Sequence, residues 1–268
     1  MLVSIQNVPW AIVLIVLPLV GAMLCFLWSR GAKTLGLLTS AGLVVAALGL
    51  GVQLLTLGVQ RYTISGWDAP LGIELYADGL SVLMLGITAV VGLAISIYSS
   101  AYFDSKKSVY FWPLWMFLWA ALNALFLSHD IFNLYVTLEL LGFAAVALVA
   151  LAGGANALSG AMRYFLISLL GSLSYLLGVA LLYHSFATVD ITLLSERMNT
   201  SPATSPAVWM AMGLMIAGLL MKTALFPLHF WLPSAHSSAP APVSALLSAL
   251  VVKASFYILM RLWLEVFP

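Results

Sequence analysis

Apolar residues in this chain run in long blocks, not in the alternation of a half-buried strand or the one-sided stripe of a surface helix. Eight blocks are long enough to cross a bilayer, which takes about 20 helical residues. They cover 10–29, 34–59, 79–101, 110–128, 131–152, 158–186, 207–231 and 242–266. The longest polar break, QRYTISGWDAPLGIELYADGLS (60–81), alternates in polarity and is punctuated by Gly and Pro, which predicts a short extramembrane hairpin. ATVDITLLSERMNTSPATSP (187–206) carries turn formers and mixed charge and predicts a loop. PSAHSSAPAP (233–242) is proline-rich and uncharged and predicts a tight connection. The fold class is therefore an all-α polytopic membrane protein of about eight transmembrane helices.

Composition agrees. The chain is 63% hydrophobic and 7% charged, with a mean hydropathy of +1.11, far from the quarter-charged make-up of soluble domains. A net charge of +1 without a basic tract excludes nucleic acid as a partner and leaves the lipid bilayer as the surrounding medium. The single cysteine, Cys25, lies in an apolar run, so neither a disulfide framework nor a metal site is expected. No glycine-rich loop or haem-type pair marks a cofactor, and no catalytic chemistry is expected in this chain. The first block lacks a basic leader and a small-residue cleavage site, and reads as a retained helix. Basic residues Arg30, Lys33, Lys106, Lys107 and Arg163 sit at odd-numbered loops, against Arg61, Arg197 and Arg261 opposite. This places the odd loops in the cytoplasm and both termini outside. Trp10, Trp28, Trp112, Trp115, Trp231 and Trp263 fall near block ends, where an aromatic belt is expected.

Three ionisable residues remain deep inside blocks: Glu139, Lys222 and Lys253. Each costs on the order of 2.5–3.5 kcal/mol at a bilayer centre, and such groups commonly mark an ion path. Glu139 and Lys222 could form an ion pair that only fixes helix register. Lys253 argues against that reading, because no intramembrane acid is left to neutralise it. Pro227 follows Lys222 closely, removes a backbone donor and opposes the Thr223 carbonyl, so the seventh helix should break or kink just past Lys222. Broken membrane helices survive where the freed groups meet protein or water. His229 and His236 flank the connection after the break, at a spacing that fits no zinc motif. His129 and His184 are expected to be solvated or capping residues, and Asp78 either a helix-end anion or a proton collector.

The stretch KTALFPLHFWLPSAHSSAPAPVSALLSALVVKASFYILMR (222–261) resembles the antiporter-like membrane subunits of respiratory complex I, energy-converting hydrogenases and Mrp sodium/proton antiporters. HDIFNLYVTLELL (129–141) and GWDAPLGIELYADGLSVL (66–83) resemble two further segments of that family. The resemblance implies a three-helix N-terminal segment (1–108) and a five-helix antiporter-like repeat (109–268) with a Pro-broken seventh helix. It implies a proton relay in which Glu139 pairs with Lys222, Lys222 carries the proton and Lys253 passes charge onward. His229, His236 and Pro227 would be auxiliary, gating or hydrating the break. Family members often carry acids where this chain has Ser234 and Ser238, so the connection is unusually uncharged.

The family also implies a second inverted repeat, absent from these 268 residues, so this chain would form a half-channel joined by other membrane subunits, one of which supplies the second repeat. The expected function is a proton-translocating subunit of a complex I-like or hydrogenase-like complex in a prokaryotic inner membrane. Three other readings stay open: an Mrp-type component exchanging Na+ for protons, the membrane half of a bicarbonate uptake system, and a non-conducting structural subunit or truncated fragment.

Overall fold

A computed structural model describes residues 8–63, 72–200 and 205–267. Among them eight helices are long and apolar enough to span a membrane, in the order expected. They are α1 (Trp10–Leu27), α2 (Ala32–Leu57), α3 (Gly79–Tyr102), α4 (Ser105–Leu127), α5 (Ile131–Ala150), α6 (Gly154–Phe186), α8 (Pro206–Thr223) and the last span, built from α10 (Ala241–Leu246), a π turn (Leu247–Val251) and α11 (Val252–Glu265). Two short helices complete the set, α7 (Ile191–Thr200) and α9 (Leu232–Ser238). Strands β1 (Gln60–Thr63) and β2 (Glu74–Ala77) pair antiparallel, with Arg61 opposite Tyr76, so the expected hairpin is present. Its tip, including part of the 66–83 segment, lies outside the described residues.

Helix starts follow from capping chemistry. In a membrane the first amide groups of a helix cannot be left to water, and a carboxylate supplies the missing acceptor. Asp78 accepts from Ser81 N, Asp104 from Lys107 N, and Asp130 from both Phe132 and Asn133 N. Asp190 does the same for α7, accepting from Leu193 N, and Ile191, Leu194 and Met198 turn one face inward. That local signal builds a helix within the 187–206 break that turn composition alone read as a loop.

The core is centred on α4, whose Trp112, Trp115 and Trp119 are almost wholly buried. Glycines make the room: a Cβ at Gly36 would lie 2.1 Å from the Trp112 ring, and one at Gly92 2.5 Å from Trp119. The aromatic belt expected at Trp112, Trp115 and Trp231 is therefore not there. These rings are interior packing groups, while Trp28 and Trp263 stay 63% and 62% exposed. The interior tryptophans need indole partners, and find them: Trp115 Nε1 donates to Ser96 Oγ at 2.8 Å, and Ser96 in turn meets Ser40 Oγ at 2.8 Å, tying α2, α3 and α4 together.

Candidate proton site

The site is assembled where α5, α6 and α8 meet. The α6–α8 contact is the broadest in the fold, and small residues make it close. A Cβ on Gly218 of α8 would lie 2.2 Å from the Gly171 carbonyl oxygen of α6, and one on Gly178 would lie 2.6 Å from the Ala211 oxygen. This approach sets the stem of Lys222 against α6, its Cγ 3.2 Å from where a Gly171 Cβ would stand.

Helix α8 stops at Thr223, one residue beyond Lys222, and not at 231 as hydropathy suggested. Ala224 takes a left-handed conformation (φ 55°, ψ 39°). Its N–H donates to Met221 O, and Leu225 N–H donates to Leu220 O, the paired bonds of a Schellman ending. The freed Met221 carbonyl also accepts from Trp231 Nε1 at 3.0 Å. Trp231 stacks on Tyr164 of α6 with ring centroids 4.5 Å apart and planes 7° from parallel. The break is thus sealed by protein groups. It precedes Pro227, which lies in the following turns, so proline forbids resumption of the helix and Ala224 makes the stop. Helix α9 then occupies Leu232–Ser238, where only a tight connection was expected. Pro233 falls in its first turn, where a missing N–H costs nothing.

Lys222 is 8% exposed, and its Nζ donates to Glu139 Oε1 at 3.3 Å and to Leu138 O at 3.4 Å. Glu139 lies about two turns into α5. The pair expected from sequence is therefore present. Lys222 occupies the last turn of α8, where the partial negative charge of unsatisfied carbonyls favours a cation. Beside the ammonium lies a small cavity lined by Leu138, Gly142, Tyr164, Ser168, Lys222 and Ser255, among others, with about 10 Å³ of room for the centre of a water molecule. That is space for about one water. Gly142 keeps it open, because a Cβ there would stand 3.1 Å from Ser168 Oγ and 3.8 Å from Lys222 Nζ.

Lys253 is placed differently. The π turn at Leu247–Val251 adds a residue to the last span, and beyond it Lys253 points to the outside of the bundle. Its Nζ donates to Ser248 O, a carbonyl of that π turn. It shares an exposed stripe of α11 with Phe256, Trp263 and Leu264. His236 is half-buried on α9, its Nδ1 2.7 Å from Ser244 Oγ. Burial first, and the Lys253 charge second, lower its proton affinity. His229 and Pro227 are exposed in the turns between α8 and α9, and among the described residues no hydrogen bond or ion pair joins them to either member of the pair.

A second polar cluster escaped the sequence reading. Arg261, counted there as a flanking charge, is 1% exposed. It holds Asp78 in a two-pronged pair (2.7 and 3.0 Å), donates to Ser81 Oγ at 2.8 Å and to Tyr257 OH at 2.7 Å, and pairs with Glu265. Asp78 is therefore a helix cap and an ion-pair partner at once. Burial works to raise its carboxyl, but the guanidinium and the Ser81 groups outweigh that and hold it at about 2. His129, expected to be solvated or capping, is 3% exposed: it stacks on Tyr76 of β2 at 4.2 Å, and its Nε2 meets Thr192 Oγ1 at 2.9 Å. Burial, reinforced by the charges of Arg261 and Arg61, lowers it to about 4. The signal that could have exposed this cluster is the Arg261–Glu265 spacing of four on one helix face.

An eight-span helical bundle with a charge pair at a broken helix defines a class of polytopic membrane protein, and comparison with known proteins narrows it. The family model described as NADH:quinone oxidoreductase/Mrp antiporter, TM, matches residues 128–267. A second, for the N-terminus of NADH-ubiquinone oxidoreductase (complex I) chain 5, matches residues 63–111. The chain belongs to this NADH:quinone oxidoreductase/Mrp antiporter family.

An NADH-quinone oxidoreductase subunit of Desulforudis audaxviator is 37% identical over 94% of this chain and 51% of its own length. A Na(+)/H(+) antiporter subunit of Bacillus subtilis is 31% identical over 91% of this chain and 48% of its own. Among solved structures, a chain of the archaeal membrane-bound sulfane sulfur reductase superposes with a TM-score of 0.88 at 29% identity, over 94% of this chain and 52% of that one. A chain of the Mrp complex from Dietzia sp. DQ12-45-1b superposes with a TM-score of 0.85 at 24% identity, over 97% and 50%, a likeness of fold. The chain spans about half the length of the relatives it matches.

Proposed function

We propose that this chain is a proton-translocating membrane subunit, with Lys222 as the proton carrier and Glu139 as the charge that holds it. The observation that carries the reading is the pair of buried Lys222 and partly buried Glu139, 3.3 Å apart, at the end of a broken helix and beside a water-sized cavity. Glu139 and the carbonyl end of α8 both stabilise the ammonium, while burial penalises it, so a modest rearrangement of the pair is enough to move a proton between Nζ and water. Architecture of this kind, with half-helix ends at an ion site, is how several transporters bind charge within the bilayer.

Lys253 belongs to the onward step. An ammonium at mid-membrane on a lipid face is costly, so the α11 stripe is read as covered by polypeptide that receives the charge. That cover would be the second half of the family fold, on further chain or a separate subunit. Residues 1–108 then form an N-terminal segment and 109–268 one repeat, in a multi-subunit complex of a prokaryotic inner membrane with both termini outside. His229 and His236 hydrate the region past the break.

In vesicles carrying the assembled complex, Lys222→Ala is expected to abolish proton movement read by a pH-sensitive dye, while the complex still assembles. Proton movement at the unsubstituted rate would refute the proposal. The similarity to the Bacillus subtilis Na(+)/H(+) antiporter protein favours a second reading, exchange of Na+ for protons, and dye signals that require sodium would select it.

A further inference from the structure

A cleft on the face opposite the β-hairpin has no role in the relay. It lies where the α1–α2 turn meets the α3–α4 turn and is lined by Ser29, Arg30, Lys33, Ser100, Ser105 and Ser108, with Phe103 and Val109, enclosing about 440 Å³. Two cations and four hydroxyls line one concavity, and among the described residues neither Arg30 nor Lys33 has an acidic partner. The 3-10 turn Ser29–Gly31 that leads into α2 and the first turn of α4 (Ser105) border this cleft. Ser108 Oγ already accepts from Trp112 Nε1 at 3.0 Å, which leaves its own proton to donate. The nearby acid, Asp104, is turned to its own helix as the α4 cap.

We propose that this cleft binds the phosphate of an anionic phospholipid. A lipid is favoured over a soluble anion because the cleft opens at the end of a membrane span beside Phe26, Leu27 and Trp28, which are 75%, 76% and 63% exposed. These apolar side chains provide a track for acyl chains next to the charge, and exposed tryptophan suits the headgroup level. Basic pockets between transmembrane helices at the membrane boundary are a recurring form of headgroup site. The bound lipid would pin the α1–α2 turn to the α3–α4 turn.

The test is native mass spectrometry of the full chain released from nanodiscs of mixed phosphatidylglycerol and phosphatidylcholine. The unsubstituted protein is expected to retain phosphatidylglycerol preferentially. Arg30→Gln with Lys33→Gln should weaken that retention about 30-fold, from roughly fivefold for each surface cation. Lys106→Gln, outside the cleft, should leave it unchanged. If the double variant does not fold, Ser105→Asp, which sets a carboxylate at the cleft while suiting the first turn of α4, should produce the same loss. Equal retention by variant and unsubstituted protein would overturn the proposal. Displacement of the lipid by millimolar inorganic phosphate would overturn it too, by making the site one for a soluble anion.

Discussion

Gly218→Ala tests whether the close approach of α6 and α8 builds the site. The new Cβ would stand 2.2 Å from Gly171 O and 3.0 Å from Tyr175 N, both backbone atoms that cannot rotate away. Ordinary contact begins near 3.4 Å, so the helices must part by about 1.2 Å. Overpacking of this kind costs about 1–3 kcal/mol. If the whole shift fell on the ion pair, its separation would grow from 3.3 Å to about 4.5 Å. At an effective dielectric near 20 the attraction then falls from about 5 to about 4 kcal/mol.

Gly213→Ala on the same helix is the matched control, because nothing lies within 4 Å of its Cβ. There alanine should gain about 0.5–1 kcal/mol of helix propensity. Titration of detergent-solubilised protein with SDS, followed by the fluorescence of its nine tryptophans, reads the difference. The propensity gain is common to both variants, so Gly218→Ala is expected to unfold at clearly lower SDS than Gly213→Ala, a gap of about 1–3 kcal/mol. Coincident transitions would refute the argument that this contact is tight and that it seats Lys222.

Three further outcomes are expected. Ala224→Gly should stabilise the protein by about 1 kcal/mol in the same titration, because glycine enters the left-handed conformation without the Cβ penalty. Asp78→Asn should destabilise it by about 3–5 kcal/mol, since the buried Arg261 guanidinium loses its carboxylate; Arg261→Met with Asp78→Asn should recover part of that loss. Stability should also fall between about pH 6.5 and pH 4. His129 binds its proton near 4 when folded and near 6.5 when unfolded, so the unfolded state takes up more protons in this window, and the contribution lost is at most about 3 kcal/mol. His129→Phe should flatten that part of the profile.

The eight spans, the hairpin and the lysine–glutamate pair were legible in the chain. Spans are legible because the bilayer demands a local property, about 20 apolar residues in succession. The pair is legible because a charge inside such a run is costly wherever the helix turns, and two opposite charges in one membrane have reason to meet. The 222–261 motif is a contiguous run, so family membership could be seen without any coordinates.

Which side of each helix faces which neighbour could not be read in this way. Trp112 resembles a belt residue until Gly36 opens the space that admits its ring at the core. Arg261 looks like a flanking charge until Asp78, 183 positions away, is found against it. Lys253 looks as deep as Lys222, yet the π turn inserts one residue and turns the following face of the helix by about 100°, carrying that lysine out of the bundle. Hydropathy is a sum along the chain and reports depth in the membrane. Direction around a helix depends on packing partners far away in sequence, and only the assembled bundle sets it.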